Sequence, residues 1–430
     1  MKAIIALLIL FFLMPRMSWS EDYKFDISET EKKPYSLGGY AEFRPILFGL
    51  DKDASLYKLR YYNQEFGNTQ SDANFRLLLE GSYEKGMARL FARAVTDLQN
   101  TYQGGSEKTQ LYEGFLSLKP SSSLTIEAGK KNLKWGKGYA WNPVAFLDRP
   151  KNPDDPELPL EGFVIASADY IKSFDGPLKT FAFTPVLLPV TDAVNEDFGS
   201  KNNLNLAGKF YFLYYDTDLD LIFLSGGSKT PRLGFDFSRN VSTNFEIHGE
   251  LAHIQDYKKK SINAQGRIQE DQSNAWSYLL GLRYLSTQDT TYLFEYYRNG
   301  TGFSSQEMKN YFSFINRGYD LYRSSGNDSL LRQAANLSEA GYGRLNPMQN
   351  YLYLRISQKD PFDILYFTPA LTGIYNLDDN SFTLSPELLY TGFTNWEFRL
   401  KGNWIVGERY SEFGERQNDY RIEFRVRYYF

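Results

Sequence analysis

The chain has 430 residues, with 48 Lys and Arg against 52 Asp and Glu, no cysteine, and aromatic residues at 17%. The near balance of charge argues against a nucleic-acid partner, and the lack of cysteine excludes disulfides, thiol catalysis and thiolate metal sites. Mean hydropathy is −0.47, and the only long apolar run lies before residue 15. A membrane protein built from several helices is therefore excluded, because each helical span needs about 20 apolar residues. So polar a chain with 33 Tyr and 33 Phe must alternate apolar and polar side chains.

The amino terminus has the features of an export signal. Lys2 is followed by an apolar stretch from Ala3 to Met14, and Ser18 and Ser20 are small residues placed correctly before a cleavage site. The predicted organisation is a signal peptide over 1–20, a short periplasmic tail over 21–34 and a barrel domain over 35–430.

The carboxyl-terminal segment shows the alternation most clearly. Between Tyr420 and Phe430 every second residue is apolar or aromatic, and the residues between them are mostly charged. Such alternation predicts a strand with one apolar and one polar face. The same pattern predicts eighteen strands in all, near 35–50, 72–84, 87–99, 108–118, 124–135, 162–174, 178–190, 204–215, 217–226, 231–240, 244–256, 275–287, 289–300, 349–359, 363–376, 381–392, 395–407 and 418–430.

The connections between these strands alternate in length. Those after even-numbered strands are short, whereas several after odd-numbered strands are long, the longest being 51–71, 136–161, 257–274 and 301–348. This rhythm and an even strand count predict an all-β fold: a transmembrane antiparallel β-barrel of about 18 strands with short periplasmic turns and long extracellular loops. Pro185, Pro369 and Pro386 fall within strands and are interpreted as bulges or rim positions, because proline removes a ladder hydrogen bond.

These features resemble bacterial outer-membrane porins, and Phe430 resembles the terminal signal that such proteins present to the barrel-assembly machinery. The stretch from Gly129 to Pro143, GKKNLKWGKGYAWNP, is similar to a strand-loop motif of alginate-export-like porins and related uncharacterised barrels. The resemblance implies an eighteen-stranded barrel in the cell outer membrane of a Gram-negative bacterium.

One motif marks the start of the loop at 136–161. Its residues have two interpretations: a girdle tryptophan followed by turn residues, or a chain that turns inward and narrows the pore. The second interpretation resembles general porins, whose constriction loop also follows the fifth strand. The motif consists of Trp135, Gly136, Gly138, Asn142 and Pro143. Prolines at 143, 150, 153, 156 and 159 would stiffen the loop, and charge near the narrowing would come from Asp148, Asp154, Asp155 and Glu157.

A second long loop carries helix signals. Ser304 and Glu307 fit a capping box, and Asp328 is placed to cap a second helix that would stop at Gly341. These helices are interpreted as a lid on the loop crown or, alternatively, as a plug in the lumen. The two histidines, His248 and His253, lie five residues apart on one strand and point to opposite faces, so they cannot bind one metal together.

Alternation also predicts which charges face the lumen. Strands 17, 18, 1, 2 and 3 form one wall with a basic surplus, and its predicted pore-lining basic residues are Arg44, Arg76, Arg89, Arg93, Arg399, Lys401, Arg421, Arg425 and Arg427. Strands 9 to 13 form an opposite, acidic wall with Asp218, Asp220, Asp236, Glu246, Glu250 and Glu295. A charge field across the lumen would orient charged solutes. The alternative is that these charges pair with neighbours on adjacent strands and keep the pore wet.

The predicted function is a porin-like channel, not an enzyme, for small hydrophilic or anionic solutes. The alternatives are export of an alginate-like polysaccharide and a plugged surface or capsule-binding barrel that transports nothing. No cofactor and no metal is expected. The expected partners are outer-membrane lipids, lipopolysaccharide and the barrel-assembly machinery, with no nucleic acid.

Overall fold

The computed structural model describes residues 33–430, so the predicted signal peptide and nearly all of the predicted tail lie outside the described residues. Within this range eighteen antiparallel strands form one sheet. Strand β1 (Tyr35–Leu50) pairs with β18 (Asn418–Tyr429), and this pairing closes the sheet into a barrel. Phe430 exchanges two backbone hydrogen bonds of 3.1 Å with Gly39, so the terminal residue lies at the closing seam.

All eighteen predicted strands are present, and each pairs with its neighbours in chain order. The first half contains β2 (Thr69–Lys85), β3 (Ala88–Thr101), β4 (Gly104–Ser121), β5 (Leu124–Lys131), β6 (Phe163–Ser173), β7 (Leu178–Val190), β8 (Asn203–Tyr214) and β9 (Thr217–Leu224). The second half contains β10 (Arg232–Ser242), β11 (Phe245–Ile262), β12 (Ile268–Leu285), β13 (Thr290–Arg298), β14 (Asn350–Gln358), β15 (Phe367–Asn376), β16 (Phe382–Tyr390) and β17 (Trp396–Val406).

The strands are apolar outside and polar inside. On β18, Ile422 and Phe424 face outward and are exposed, whereas Glu423 and Arg425 face inward and are only 3% and 2% exposed. Trp276 on β12 likewise leaves 54% of its surface on the outside of the barrel. An apolar outer surface around a charged interior is the pattern of a barrel that sits in hydrocarbon.

Connections are short at one end of the barrel, here the turn end, and longer at the other, the loop end. The five longest loop-end connections are 51–68, 132–162, 191–202, 299–349 and 407–417. The predicted loop at 257–274 is wrong, because β11 and β12 continue to the pair Ile262 and Ile268 and leave only residues 263–267 between them. This polar extension has no apolar face, so alternation does not reveal it although its backbone groups still pair.

Two further expectations about the strands are corrected. Strand β15 begins at Phe367 rather than at 363, because Pro361–Asp363 form a short 3₁₀ turn before it. Pro185, Pro369 and Pro386 do not mark bulges, since the strand register is the same on both sides of each proline. Pro369 does lie near a rim, two residues after the start of β15, whereas Pro185 and Pro386 lie inside their strands. Proline is tolerated there because it removes only one hydrogen bond, toward one of its two neighbouring strands.

Three helices lie at the loop end: α1 (Ser55–Tyr61), α2 (Ser305–Ser325) and α3 (Ser329–Leu337). Among residues 33–430 no helix has the length and apolar character needed to cross a membrane. The capping box on α2 is confirmed, because Ser304 and Glu307 exchange both of its hydrogen bonds. Asp328 stands at the N-cap of α3 but makes no capping bond, since its carboxylate pairs with Arg332 at 2.9 Å.

The helix α3 also ends earlier than predicted. It stops at Leu337, and a π-helical turn over Ser338–Tyr342 follows it. The three helices form what we call the helical lid. Its α2 contacts the end of β11, where Asn310 donates to the Ile262 carbonyl at 3.1 Å and Lys259 pairs with Glu307 at 2.9 Å.

The two ends of the barrel can be assigned by labelling single cysteines, because the chain has none of its own. We expect cysteines at Ser106, Gln265 and Asn327, which are exposed at the loop end, to react with a membrane-impermeant maleimide on intact cells. Cysteines at Lys85, Asp175 and Thr394, exposed at the turn end, should react only after the cells are opened. The reverse pattern would contradict the predicted orientation.

Candidate functional site: a loop held across the lumen

The segment 132–162 between β5 and β6, here the constriction loop, lies inside the barrel. Its first turn is organised by Asp148, whose carboxylate accepts hydrogen bonds from the backbone N–H groups of Leu133, Lys134 and Trp135 at 2.9 to 3.1 Å. Burial raises the pKa of Asp148, and these three hydrogen bonds counteract the shift. Trp135 is only 4% exposed and packs among buried apolar residues, so its interpretation as a girdle tryptophan is wrong.

Backbone N–H groups of the next part of the constriction loop form hydrogen bonds with carboxylates of the acidic wall. Glu250 accepts hydrogen bonds from the N–H groups of Lys137 and Gly138, both at 2.6 Å, and of Val144 at 3.2 Å. Glu295 accepts those of Tyr139 and Ala140. Five backbone donors thus converge on two buried carboxylates, an arrangement that suits negative charge in the same way as a helix N-terminus or a nest.

The motif glycines make this approach possible. Gly136 has φ +94, and a Cβ there would lie 2.8 Å from Glu250 Oε1. A Cβ on Gly138 would lie 2.0 Å from the Trp141 carbonyl oxygen. The Asn142 side chain adds a further hydrogen bond of 3.1 Å to Glu250, and Trp141 stacks on Tyr297 with ring centroids 5.2 Å apart. The motif is therefore shaped to fit the acidic wall.

A lysine of the motif meets the remaining carboxylates of this wall. Lys137 Nζ lies 3.2 Å from Asp220 and 4.0 Å from Asp236, which face each other on β9 and β10. Burial opposes the charge of Lys137, but Asp220 and Asp236 outweigh burial and raise its pKa. His248 sits between Glu246 at 3.7 Å and Glu295 at 3.0 Å, inside the lumen as predicted.

The far end of the constriction loop is held by the basic wall. Asp155 pairs with Arg399 and Arg425, both at 2.8 Å, and Lys401 donates to the Asp154 carbonyl. Burial opposes ionisation of Asp155, but the two guanidinium groups outweigh it and hold its pKa far below the usual range. This end of the loop is therefore anchored by charge-assisted hydrogen bonds.

The anchor points lie in three separate sectors of the barrel. The constriction loop leaves and rejoins the wall at β5 and β6, contacts β11 and β13, and then contacts β17 and β18. Several strands separate each sector from the next. A chain that touches all three must cross the lumen.

Most other predicted lumen charges pair with close neighbours. On the basic wall the pairs are Arg76 with Asp97 at 2.6 Å, Arg93 with Glu80 at 2.7 Å and Glu113 at 2.6 Å, Arg427 with Glu42 at 2.7 Å, and Arg421 with Glu423 at 3.8 Å. Arg44 has a buried Nε without a hydrogen-bond partner in the described part, and Arg89 is exposed near the turn end. On the acidic wall Asp218 accepts the Tyr211 hydroxyl, and Glu246 accepts that of Ser238 at 3.2 Å.

Sequence reasoning missed several partners. Glu387 on β16 forms ion pairs with Arg355 and Arg399. Alternation could have identified Glu387 if β16 had been included in the basic wall. Glu113 was harder to find, because the register shifts within β3 and β4 where Arg93 pairs with it. Within residues 33–430 no group of three His, Cys, Asp or Glu residues could hold a metal ion.

Comparison with known proteins supports the fold and goes no further. No known protein family matches the chain, and no curated protein matches it. Among solved structures, OccK5 (OpdH) of Pseudomonas aeruginosa has a TM-score of 0.50 at 12% identity, covering 91% of this chain and 97% of that one. A triple mutant of the Rhodopseudomonas blastica porin has a TM-score of 0.45 at 10% identity, covering 92% and 100%. The resemblance to alginate-export-like porins therefore rests on the motif at 129–143 alone.

Replacing Glu250 with Gln should loosen the constriction loop. In the native protein these backbone N–H groups donate to the Glu250 carboxylate. The Gln amide carries no charge, and its NH₂ group cannot accept their hydrogen bonds, so the bound loop is destabilised by about 2–4 kcal/mol. Amide hydrogen exchange over 137–144 should accelerate by at least about tenfold. Glu196→Gln, on an exposed loop, is the matched control and should leave this exchange unchanged. Equal protection in the two variants would contradict the anchoring role of Glu250.

Proposed function

We propose that this protein is an outer-membrane channel of the porin type, through which small hydrophilic or charged solutes pass beside the constriction loop. The observation that carries the proposal is the constriction loop itself, anchored to both charged walls across a polar lumen. An eighteen-strand barrel is wide enough to hold water, and an inward loop narrows it to a size that discriminates between solutes.

The apolar outer face and the segregation of loops and turns support an outer-membrane location, with the loop end facing outward and the turn end facing the periplasm. In that setting the outer face contacts lipids and lipopolysaccharide, and the Phe430 terminus is the signal for the barrel-assembly machinery. The proposed topology agrees with the predicted signal peptide over 1–20.

We further propose that the charge separation between the walls holds the constriction loop in place. The acidic wall takes five backbone N–H donors and Lys137, whereas the basic wall takes Asp155. Pairing with neighbours neutralises much of the remaining charge, so the transverse field acts on solutes mainly in the space beside the loop.

A plugged barrel without transport is the second candidate, and one observation favours it. A single buried apolar cluster joins the helical lid to Trp141 of the constriction loop and to Tyr351 and Tyr353 of the wall. Apolar material of this kind would block the path if it left no gap beside the loop. A barrel with this role would bind at the surface and would carry no current.

Conductance in a planar bilayer tests the proposal. We expect stepwise channels from the purified protein. Asp155→Asn should raise the single-channel conductance and shift selectivity toward anions, because it removes one negative charge from the lumen and breaks the ion pairs that hold the loop to Arg399 and Arg425. Loss of this charged anchor destabilises the bound loop by about 3 kcal/mol.

The control for this variant is Asp192→Asn. Among the described residues Asp192 forms an ion pair only with Lys201, on an exposed loop, and 80% of its side chain is exposed. The conductance of this variant should therefore match that of the unmodified protein. A folded barrel that never conducts would overturn the channel and favour the plugged barrel. An unchanged conductance in Asp155→Asn would show that the far end of the loop does not limit the pore.

A further inference from the structure

A cavity of about 960 Å³ lies between the constriction loop and the loop-end part of the wall. Its floor is formed by the proline-rich half of the constriction loop, and its sides come from the β9–β10 connection, the inner faces of β11 to β13 and the end of the 299–349 loop. A chamber of this size accepts a small solute with room for water. In the proposed orientation it lies on the outer side of the constriction loop.

The charge lining this cavity is strongly unequal. Seven basic side chains border it, namely Arg93, Lys134, Arg149, Lys151, Lys229, Arg232 and Arg344, against two carboxylates, Asp148 and Glu157. Both carboxylates are engaged, because Asp148 accepts three backbone N–H groups and Glu157 accepts the Tyr139 hydroxyl at 3.0 Å. The cavity therefore has a surplus of positive charge that its own lining does not neutralise.

Only two of the seven bases form ion pairs. Arg93 pairs with Glu80 and Glu113, and Arg149 pairs with Glu161 and Asp197. Within the described part of the chain the other five have no carboxylate at ion-pair distance. Lys151 is held by the carbonyl oxygens of Gly138 and Tyr139 instead, and Arg344 donates to the Tyr257 hydroxyl at 3.2 Å.

Lys229 and Arg232 form the most confined part of this charge. Both are half-buried, and both lie against Phe146 of the constriction loop. Lys229 Nζ is 3.5 Å from the Phe146 carbonyl oxygen, and the Arg232 guanidinium carbon is 5.9 Å from the Phe146 ring centroid. The Arg232 Nε is buried, and no residue of the range 33–430 forms a hydrogen bond with it. Burial, reinforced by the charge of Arg232, lowers the pKa of Lys229 to about 7.

Two basic groups this close together in a half-buried place favour a bound anion, because an anion offsets the cost of their charged forms. Several buried arginine groups elsewhere in this lumen have a carboxylate within reach, as Arg425 does with Asp155, although among residues 33–430 Arg44 does not. In this cavity five of the seven basic side chains lack such a carboxylate within the described part of the chain. Its neutral lining, including Asn142, Asn299, Asn346 and Thr301, supplies hydrogen-bonding groups for the remainder of a polar solute.

We propose that this cavity is a binding site for a small organic oxyanion with two or more negative charges, held at its carboxylate or phosphoryl oxygens by Lys229 and Arg232. The inference rests on the proposed channel, for which it names the class of solute drawn into the outer chamber. Arg344 and Lys151, which also line the cavity, attract the second charged group of the solute.

Calorimetric titration of the full-length barrel in detergent tests the site. The probe is succinate, with succinamide as the uncharged compound of the same size and inorganic phosphate as the phosphoryl probe. We expect succinate to bind at least about tenfold more tightly than succinamide. Arg232→Gln and Lys229→Gln should each weaken succinate binding by about tenfold, and Arg232→Lys should restore most of it. If the same substitutions weaken phosphate binding to the same degree, the site recognises negative charge rather than a carboxylate group in particular.

Lys260→Gln is the matched control, because Lys260 is exposed on the β11–β12 hairpin outside the cavity, and it should bind succinate normally. A closed barrel resists unfolding by detergent until it is boiled, so boiled and unboiled samples migrate differently on a gel. This difference would verify that each variant is a closed barrel. Equal binding of succinate by folded Gln variants, or equal binding of succinate and succinamide, would overturn the site. A conducting barrel with no preference for succinate overturns the site alone, whereas a barrel that binds succinate but never conducts overturns the channel alone.

Discussion

The interaction on which the interior of this protein depends is between two buried carboxylates and the backbone of one loop. Glu250 and Glu295 lie on strands that are far in sequence from the constriction loop, and together they accept five of its backbone N–H groups. A charged side chain in a closed barrel is costly without partners, and so is an unpaired backbone donor. Each group therefore satisfies the other, and the loop is held inside the barrel.

The same principle organises the remaining lumen. The basic wall would be destabilised by its own repulsion, but neighbouring carboxylates and Asp155 of the constriction loop compensate it. Carboxylates on β11 and β13 and basic groups on β17 and β18 thereby hold one segment at two places. In this view the charge pattern of the lumen has a structural role.

The helical lid and the constriction loop are connected through apolar contacts. Trp141 packs between the wall tyrosines and the cluster that contains α2 and α3. Release of the loop from either wall would therefore also disturb the lid. The cavity with the surplus of basic side chains also borders this connection, because Trp141 and Tyr297 line it.

Local pattern by itself determined the strands, their inward and outward faces and the capping box of α2. These features depend on residues two to four positions apart, which alternation and helix capping describe directly. The hairpin at 257–274 escaped the same reasoning, because its polar residues carry no alternation even though their backbone groups pair.

Only the tertiary structure decided which charges meet. Asp155 lies 244 residues before Arg399 and 270 residues before Arg425, and closure of the barrel brings both arginines within 2.8 Å of it. The sequence showed Gly136 and Gly138 as turn residues, but not that Glu250 would fill the space where their side chains are missing. It likewise showed Lys229 and Arg232 without showing that both would face one cavity beside Phe146. The physical reason is that these contacts depend on the curvature of the whole sheet, which no local pattern of residues encodes.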